Sequence, residues 1–202
     1  MADLQQIYFF LFLMLGPFKI IGPFAKMTQH ANPQLVRQLA TRSILFSILA
    51  VLIASVMGEK VLGNFGIPVP VLALAGGLIL FLVALSNVIQ QFTPQENNVE
   101  QPAPTLMMAL SPLAFPTIIT PYGIAAVIVF MTISPDINTQ LKIGAMVIGI
   151  MLLNLVVMLL TRHIGKILFL FLSILGSVLG VIQVALGLMI IINQVKTIFG
   201  LV

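Results

Sequence analysis

Six long apolar runs dominate the sequence, and they limit what the chain can fold into more than any other feature. They cover residues 4–25, 40–58, 67–90, 106–132, 141–161 and 167–194. A hydrocarbon layer about 30 Å thick needs about 20 apolar residues per helix, so each run is suited to crossing a membrane once. Backbone groups in lipid must bond internally, and runs of this length are typical of helices rather than barrel strands. The sequence therefore predicts an all-α membrane protein with six transmembrane helices.

The charge content argues against a soluble protein. Hydrophobic residues make up 60% of the chain and charged residues 7%, whereas about a quarter of the residues of a soluble domain are charged. The net charge is +4, but the nine basic residues are scattered and form no patch for nucleic acid. We therefore expect a lipid-covered protein with no nucleic-acid partner and no sizeable domain outside the membrane.

The sequence offers no constellation for catalysis. It contains no cysteine, which excludes thiolate metal sites and thiol nucleophiles. It also lacks the motifs of zinc proteases, serine hydrolases and P-loop ATPases. We expect no enzymatic activity, no cofactor and no metal. The first run is predicted to be a retained span, because Met1-Ala2-Asp3 lacks the basic start of a signal peptide.

A polar segment at 91–105 divides the chain near its middle and predicts two three-helix halves, residues 1–90 and 106–202. The halves share features, since Gly-Leu-Ile-Leu-Phe-Leu at 77–82 is similar to Gly-Leu-Met-Ile-Ile-Ile at 187–192. Because three is an odd number, the second half enters from the opposite side, which predicts an inverted repeat. The alternative is that apolar sequence of low complexity aligns with itself by chance.

Prolines interrupt the first and fourth spans. They are Pro17 and Pro23 in the first, and Pro112, Pro116 and Pro121 in the fourth. A proline inside a helix removes a hydrogen bond and costs about 3 kcal/mol. Matched broken helices in two halves are typical of the central binding site of a secondary transporter, although simple kinks are the alternative. The predicted substrate-binding residues are Gly16, Pro17, Lys19, Gly22, Pro23, Ser111, Pro116, Thr120 and Pro121.

Lys19 is the charged residue that is hardest to explain structurally. It lies between Pro17 and Pro23, after a long uncharged stretch. An ionisable side chain at membrane depth predicts a functional site. Lys19 would bind a substrate carboxylate or relay a proton. The alternative is that its amino group reaches the nearby interface beside Lys26.

Further polar residues fall within the spans. They are Asn87, Ser111, Thr117, Thr120, Tyr122, Asn154, Gln183 and Asn193. Hydrogen bonding between helices is the favoured role for most of them. Ser111, Thr117 and Thr120 flank the prolines and are favoured as solute contacts.

The distribution of basic residues predicts the orientation. One side of the membrane receives Lys26, Arg37, Arg42, Arg162 and Lys166, and the other receives Lys60, Lys142 and Lys196. An excess of Lys and Arg is typical of the cytoplasmic side. Both termini are therefore predicted to lie outside.

Four regions together resemble the MarC family of integral membrane proteins, which includes transporters of small neutral amino acids of the SnatA type. The matching residues lie at 16–24, 58–62, 65–85 and 111–116. The chain departs from many members at Gly16, which stands in the place of an Asp or Asn, and at Lys19, which lies where Gly-Asn falls. It also carries Thr120 where many members have Gly. The resemblance implies six helices, a bacterial-type inner membrane and amino-acid transport.

These observations predict a secondary transporter that moves small neutral amino acids or similar zwitterions by alternating access. Its expected partners are the small-molecule substrate, the lipid bilayer and a coupling proton or sodium ion. The alternatives are an ion channel, an exporter of other small solutes, or a membrane scaffold that transports nothing.

Overall fold

The computed structural model describes residues 4–29, 31–90, 105–134, 136–161 and 166–201. Within these ranges the chain forms helices joined by short turns, and no strand occurs. The helices are α1 (Leu4–Leu15), α2 (Phe18–Thr28), α3 (Pro33–Asn64), α4 (Val69–Gln90), α5 (Pro121–Thr132), α6 (Ile137–Leu160) and α7 (Lys166–Ile198). A 3₁₀ turn (Leu106–Ala109) and an irregular π-helical segment (Leu110–Ile118) precede α5. All but the last residue of the predicted linker 91–105 lies outside the described residues.

The described helices agree with the prediction of several transmembrane helices. Five helical segments are long and apolar enough to cross a membrane, with α1 and α2 counted together. The 3₁₀ turn and irregular segment together (Leu106–Ile118) form a bent pair with α5 at an angle of 62°, and this pair makes a sixth span if it counts as one. The prediction of an all-helical protein with several transmembrane helices is confirmed.

Helix α3 begins earlier than the apolar run predicted. The run starts at residue 40, but the helix starts at Pro33 because Asn32 and Pro33 form a favourable N-terminus. The Asn32 side chain accepts a hydrogen bond from the backbone N–H of Leu35 at 2.7 Å. Hydropathy alone misses this first part, since it is polar although helical.

Helix α6 begins at an acidic cap. The Asp136 carboxylate accepts hydrogen bonds from the backbone N–H of Thr139 at 3.0 Å and from its hydroxyl at 2.8 Å. These bonds favour the charged form and lower the pKa of Asp136. The cap ends the turn that follows α5.

The bundle buries one set of apolar side chains and presents another outward. The core forms where α1, α2 and α5 meet α3 and α6, and it includes Leu11, Phe24 and Leu39. On the outer side of α3, Leu45 is 66% exposed and Val56 is 68% exposed. A membrane provides the apolar surroundings that such a surface requires.

Helices α4 and α7 pack closely and run antiparallel. Gly77 lies against Ile190, while Gly187 lies against Phe81. Residue numbers therefore increase along α4 in the direction in which they decrease along α7. A Cβ atom on Gly187 would lie 2.8 Å from the backbone of Phe81. The first half of α4 therefore lies beside the second half of α7.

Candidate functional site

The site begins at the interruption between α1 and α2, at Gly16 and Pro17. Pro17 has no N–H, so the carbonyl of Leu13, four residues earlier, has no helical donor. Gly16 completes the last turn of α1 by donating from its backbone N–H to the carbonyl of Phe12 at 2.8 Å. The chain then turns, and α2 starts at Phe18. The last carbonyls of α1 therefore need donors from elsewhere.

Side chains from three different helices supply those donors. The pairs, donor first, are Gln183 of α7 to the Leu13 carbonyl, Lys19 of α2 to the Met14 carbonyl, and Asn154 of α6 to the Leu15 carbonyl. The bond from Asn154 measures 2.8 Å. The carbonyls that precede Gly16 are thus bonded within the protein and are not open to a solute.

Lys19 lies at the centre of this arrangement. Its amino group also donates to the hydroxyl of Tyr122 at 2.9 Å and lies 4.8 Å from the centre of the tyrosine ring. A cation over an aromatic face is favourable, particularly away from water. Lys19 thus joins the start of α2 to the start of α5.

The second interruption lies between residues 110 and 121. Ser111 and Phe115 have extended backbone angles inside the irregular segment, as expected for residues that precede prolines. The hydroxyl of Thr117 donates to the carbonyl of Pro112 at 2.7 Å. Thr120 caps α5, since its hydroxyl oxygen accepts a hydrogen bond from the backbone N–H of Gly123 at 3.1 Å.

A cavity of about 450 Å³ lies between the two interruptions. Such a volume is typical of small-molecule sites. The lining residues come from α2, α4, α7 and the region from the irregular segment to α5. They are Phe18, Lys19, Ile21, Gly22, Pro23, Val83, Asn87, Pro116, Thr117, Thr120, Tyr122, Gly176, Ser177, Leu179, Gly180 and Gln183. Among the described residues of this lining, Lys19 is the one charged side chain, so the cavity is suited to an anionic group.

The predicted site residues divide into two groups. Lys19, Gly22, Pro23, Pro116 and Thr120 line the cavity together. The remaining four, Gly16, Pro17, Ser111 and Pro121, shape the interruptions but are not in the lining. Of the additional polar residues, Asn87, Ser111 and Asn193 are exposed in the described fold, and of these three Asn87 alone lines this cavity.

Comparison with known proteins decides the family. The model of the MarC family integral membrane proteins matches residues 1–199. The chain belongs to the MarC family. The resemblance seen in the sequence is therefore confirmed, and the protein is an integral membrane protein.

Three relatives show how far the similarity of this MarC protein extends. A UPF0056 membrane protein of Methanocaldococcus jannaschii is 30% identical over 203 residues, which cover 96% of this chain and 98% of that protein. Another from Pyrococcus horikoshii is 24% identical over 207 residues, 98% of this chain and 100% of its own. The inner membrane protein YhgN of Escherichia coli is 24% identical over 145 residues, 70% of this chain and 68% of its own. No solved structure matches the chain.

The α7 wall of the MarC cavity was not predicted from the sequence. The sequence predicts only hydrogen bonding between helices for Gln183, yet Gln183 lines the cavity together with Gly176 and Gly180. Their spacing of four and three residues places them on one helix face, and this is the signal that identifies the wall. Gln183 has both roles, because it also binds the Leu13 carbonyl.

Proposed function

We propose that this MarC protein is a secondary transporter that moves small neutral amino acids or similar zwitterions by alternating access. The observation that carries the proposal is Lys19, which lines a cavity of about 450 Å³ and whose amino group donates to the hydroxyl of Tyr122. Among the described lining residues there is no Asp or Glu to neutralise it. A substrate carboxylate is the natural counter-charge for such a group.

The other end of a zwitterion finds acceptors in the same lining. An ammonium group offers donors only, and the amide oxygen of Asn87 and the hydroxyl oxygens of Thr117 and Thr120 accept. Thr117 already donates its proton to the Pro112 carbonyl, which leaves its oxygen lone pairs for a solute. A solute with one positive and one negative group therefore fits better than a simple anion.

The proposal includes an architecture of two inverted three-helix repeats with broken helices in the first and fourth spans. Its support is the reciprocal packing of α4 against α7, in which Gly77 meets Ile190 and Gly187 meets Phe81. Gly77 and Gly187 are the first residues of the two similar segments. The helices that carry them, α4 and α7, are the third spans of their halves. The interruptions at residues 16–17 and 119–120 occupy comparable places in the two halves. Transporters of this kind move one repeat against the other.

Uptake into liposomes tests the proposed function. We expect purified protein to take up labelled alanine or glycine above the level of empty vesicles, driven by a proton or a sodium gradient. Lys19→Met should abolish uptake, whereas Lys196→Met, at an exposed position near the end of α7, should retain it. Absence of uptake by the wild type under both gradients would contradict the amino-acid proposal.

The same experiment separates the alternative functions. A scaffold that transports nothing would give no uptake by any variant, and a channel would conduct without saturable exchange of amino acids. Equal uptake by Lys19→Met and the wild type would remove Lys19 from the mechanism. A thermal unfolding midpoint for Lys19→Met close to that of the wild type would show that the variant is folded. A loss of uptake would then not be due to unfolding.

We further propose that the protein lies in the inner (plasma) membrane with both termini outside. YhgN, a relative, is an inner membrane protein, and the basic residues favour the linker side as cytoplasmic. Terminal tags should be digested by protease added to intact spheroplasts. If both tags were protected from the protease until the membrane was permeabilised, the termini would lie inside and the proposed orientation would be wrong.

A further inference from the structure

A second cavity of about 230 Å³ lies on the other side of Tyr122. Its lining is mainly apolar and includes Phe10, Ala73, Ala126 and Ile190. Its polar residues are Gln6, near the start of α1, with Asn193 and Gln194, near the end of α7. The cavity is therefore apolar inside and polar towards the ends of the helices.

The two cavities use opposite ends of the same helix pair. The cavity around Lys19 is lined by Val83 and Asn87 from the second half of α4, whereas the second cavity is lined by Ala73, Gly76 and Gly77 from the first half. On α7 the order is reversed, with residues 176–183 in the first cavity and 189–194 in the second. Because α4 and α7 are antiparallel, the two cavities follow one another along the length of this helix pair.

Tyr122 lies between them. It lines both cavities, although only 2% of its side-chain and backbone surface is exposed. Its hydroxyl accepts a hydrogen bond from Lys19, which is itself bonded to the Met14 carbonyl. Met14 also lines the second cavity. Tyr122 therefore belongs to the walls of both cavities, and its hydroxyl is held by Lys19.

We propose that the second cavity is the other half of the solute route and that Tyr122, held by Lys19, is the barrier between the halves. The inference rests on the proposed transport function and adds a path and a barrier to it. A zwitterion whose carboxylate binds Lys19 competes with Tyr122 for the same amino group. Substrate binding thereby weakens the hydrogen bond between Lys19 and Tyr122. Because this bond holds Tyr122 in place, binding of the substrate favours opening of the barrier.

The absence of cysteine from the sequence makes a direct test simple. Single cysteines are introduced as Gly22→Cys in the first cavity and Ala73→Cys in the second. Gly149→Cys on the outer side of α6 is the control, since it too is a glycine within a helix with no neighbouring atom within 4 Å of its Cβ position. A charged, membrane-impermeant thiol reagent is then applied to either face of oriented vesicles without substrate.

We expect Gly22→Cys to react from one face and Ala73→Cys from the opposite face, while Gly149→Cys in lipid stays unmodified. Adding Tyr122→Ala should abolish this sidedness, so that each cavity cysteine reacts from both faces. Reaction of both cysteines from the same face would overturn the proposal. Failure of Ala73→Cys to react from either face would also overturn it, because the second cavity would then be filled by lipid rather than open to water.

The labelling is independent of transport, so the two proposals fail separately. Opposite sidedness together with absent uptake would retain the two half-channels and reject the amino-acid substrate. Uptake together with same-side labelling would retain transport and reject Tyr122 as the barrier. If Tyr122→Ala does not fold, the sidedness of the two cysteines in the otherwise wild-type chain still tests the proposal, because reaction of both from the same face would rule out a barrier between the cavities.

Discussion

The side-chain amide of Asn154 donates a 2.8 Å hydrogen bond to the main-chain carbonyl of Leu15, which lies 139 residues earlier in the sequence. Leu15 is the last residue of α1, and both residues are buried. The bond therefore joins the end of α1 to the second half of α6. It stabilises a helix end that Pro17 leaves without a following turn.

Replacing Asn154 by Leu should destabilise the protein. The change keeps a side chain of similar size but leaves the Leu15 carbonyl buried without this donor, at a cost of about 1–3 kcal/mol. Asn193→Leu is the matched control, because Asn193 lies on an exposed part of α7. Thermal unfolding in detergent should show a lower midpoint for Asn154→Leu alone. Equal midpoints for the two variants would mean that the bond contributes nothing.

A large residue at Gly22 should block the cavity without disturbing the fold. No atom lies within 4 Å of the position a Cβ would take there, and Leu has a higher helix propensity than Gly. Gly22→Leu should therefore retain the unfolding midpoint while losing uptake and substrate binding. Gly149→Leu makes the same change where the helix is exposed and should retain both activities. Normal uptake by Gly22→Leu would place the solute elsewhere.

The close contact between α4 and α7 should be sensitive to a single methyl group. Gly187→Ala would bring its Cβ within 2.8 Å of the Phe81 backbone, which is too rigid to yield. Overpacking of this kind costs about 1–3 kcal/mol. Gly144→Ala, whose methyl group would meet its nearest neighbour at an ordinary 3.8 Å, is the control. An unfolding midpoint of Gly187→Ala at or above that of the control would contradict this packing.

The cap of α6 predicts a dependence of stability on pH. Hydrogen bonds from Thr139 lower the pKa of Asp136 in the folded protein below the ordinary value of 3.8. The carboxylate therefore stabilises the fold above that value, and this contribution is lost as the pH falls through the folded pKa. Asp136→Ala should lower the unfolding midpoint at neutral pH, and its difference from the wild type should narrow on acidification. A difference that is constant with pH would show that the charge of Asp136 is not involved.

Much of the fold could be predicted from hydropathy and proline placement. Long apolar runs define transmembrane helices because lipid leaves the backbone few alternatives. Pro17 lies between α1 and α2 and Pro121 is the first residue of α5, which fits the preference of proline for the start of a helix. Lys19 was recognisable because a charge at that depth requires a partner or a role.

The partners of these residues could not be predicted. The carbonyl of Leu15 is bonded to Asn154, and Lys19 to Tyr122, across more than 100 residues of sequence. Hydropathy has no information on which helix faces meet, and α7 shows this most clearly. Its glycines have the spacing expected for simple packing, yet Gly176 and Gly180 also form a cavity wall.

Binding of alanine to the purified protein tests the central claim, that the Lys19 amino group binds the carboxylate of a zwitterion. We predict that unlabelled alanine displaces labelled alanine from the wild type, whereas alaninamide, which lacks the carboxylate, does not. Loss of a charged hydrogen bond worth about 1.5–3 kcal/mol should weaken binding to Lys19→Met about 10- to 150-fold. Equal affinity of Lys19→Met and the wild type, or displacement by alaninamide as effective as by alanine, would contradict the claim.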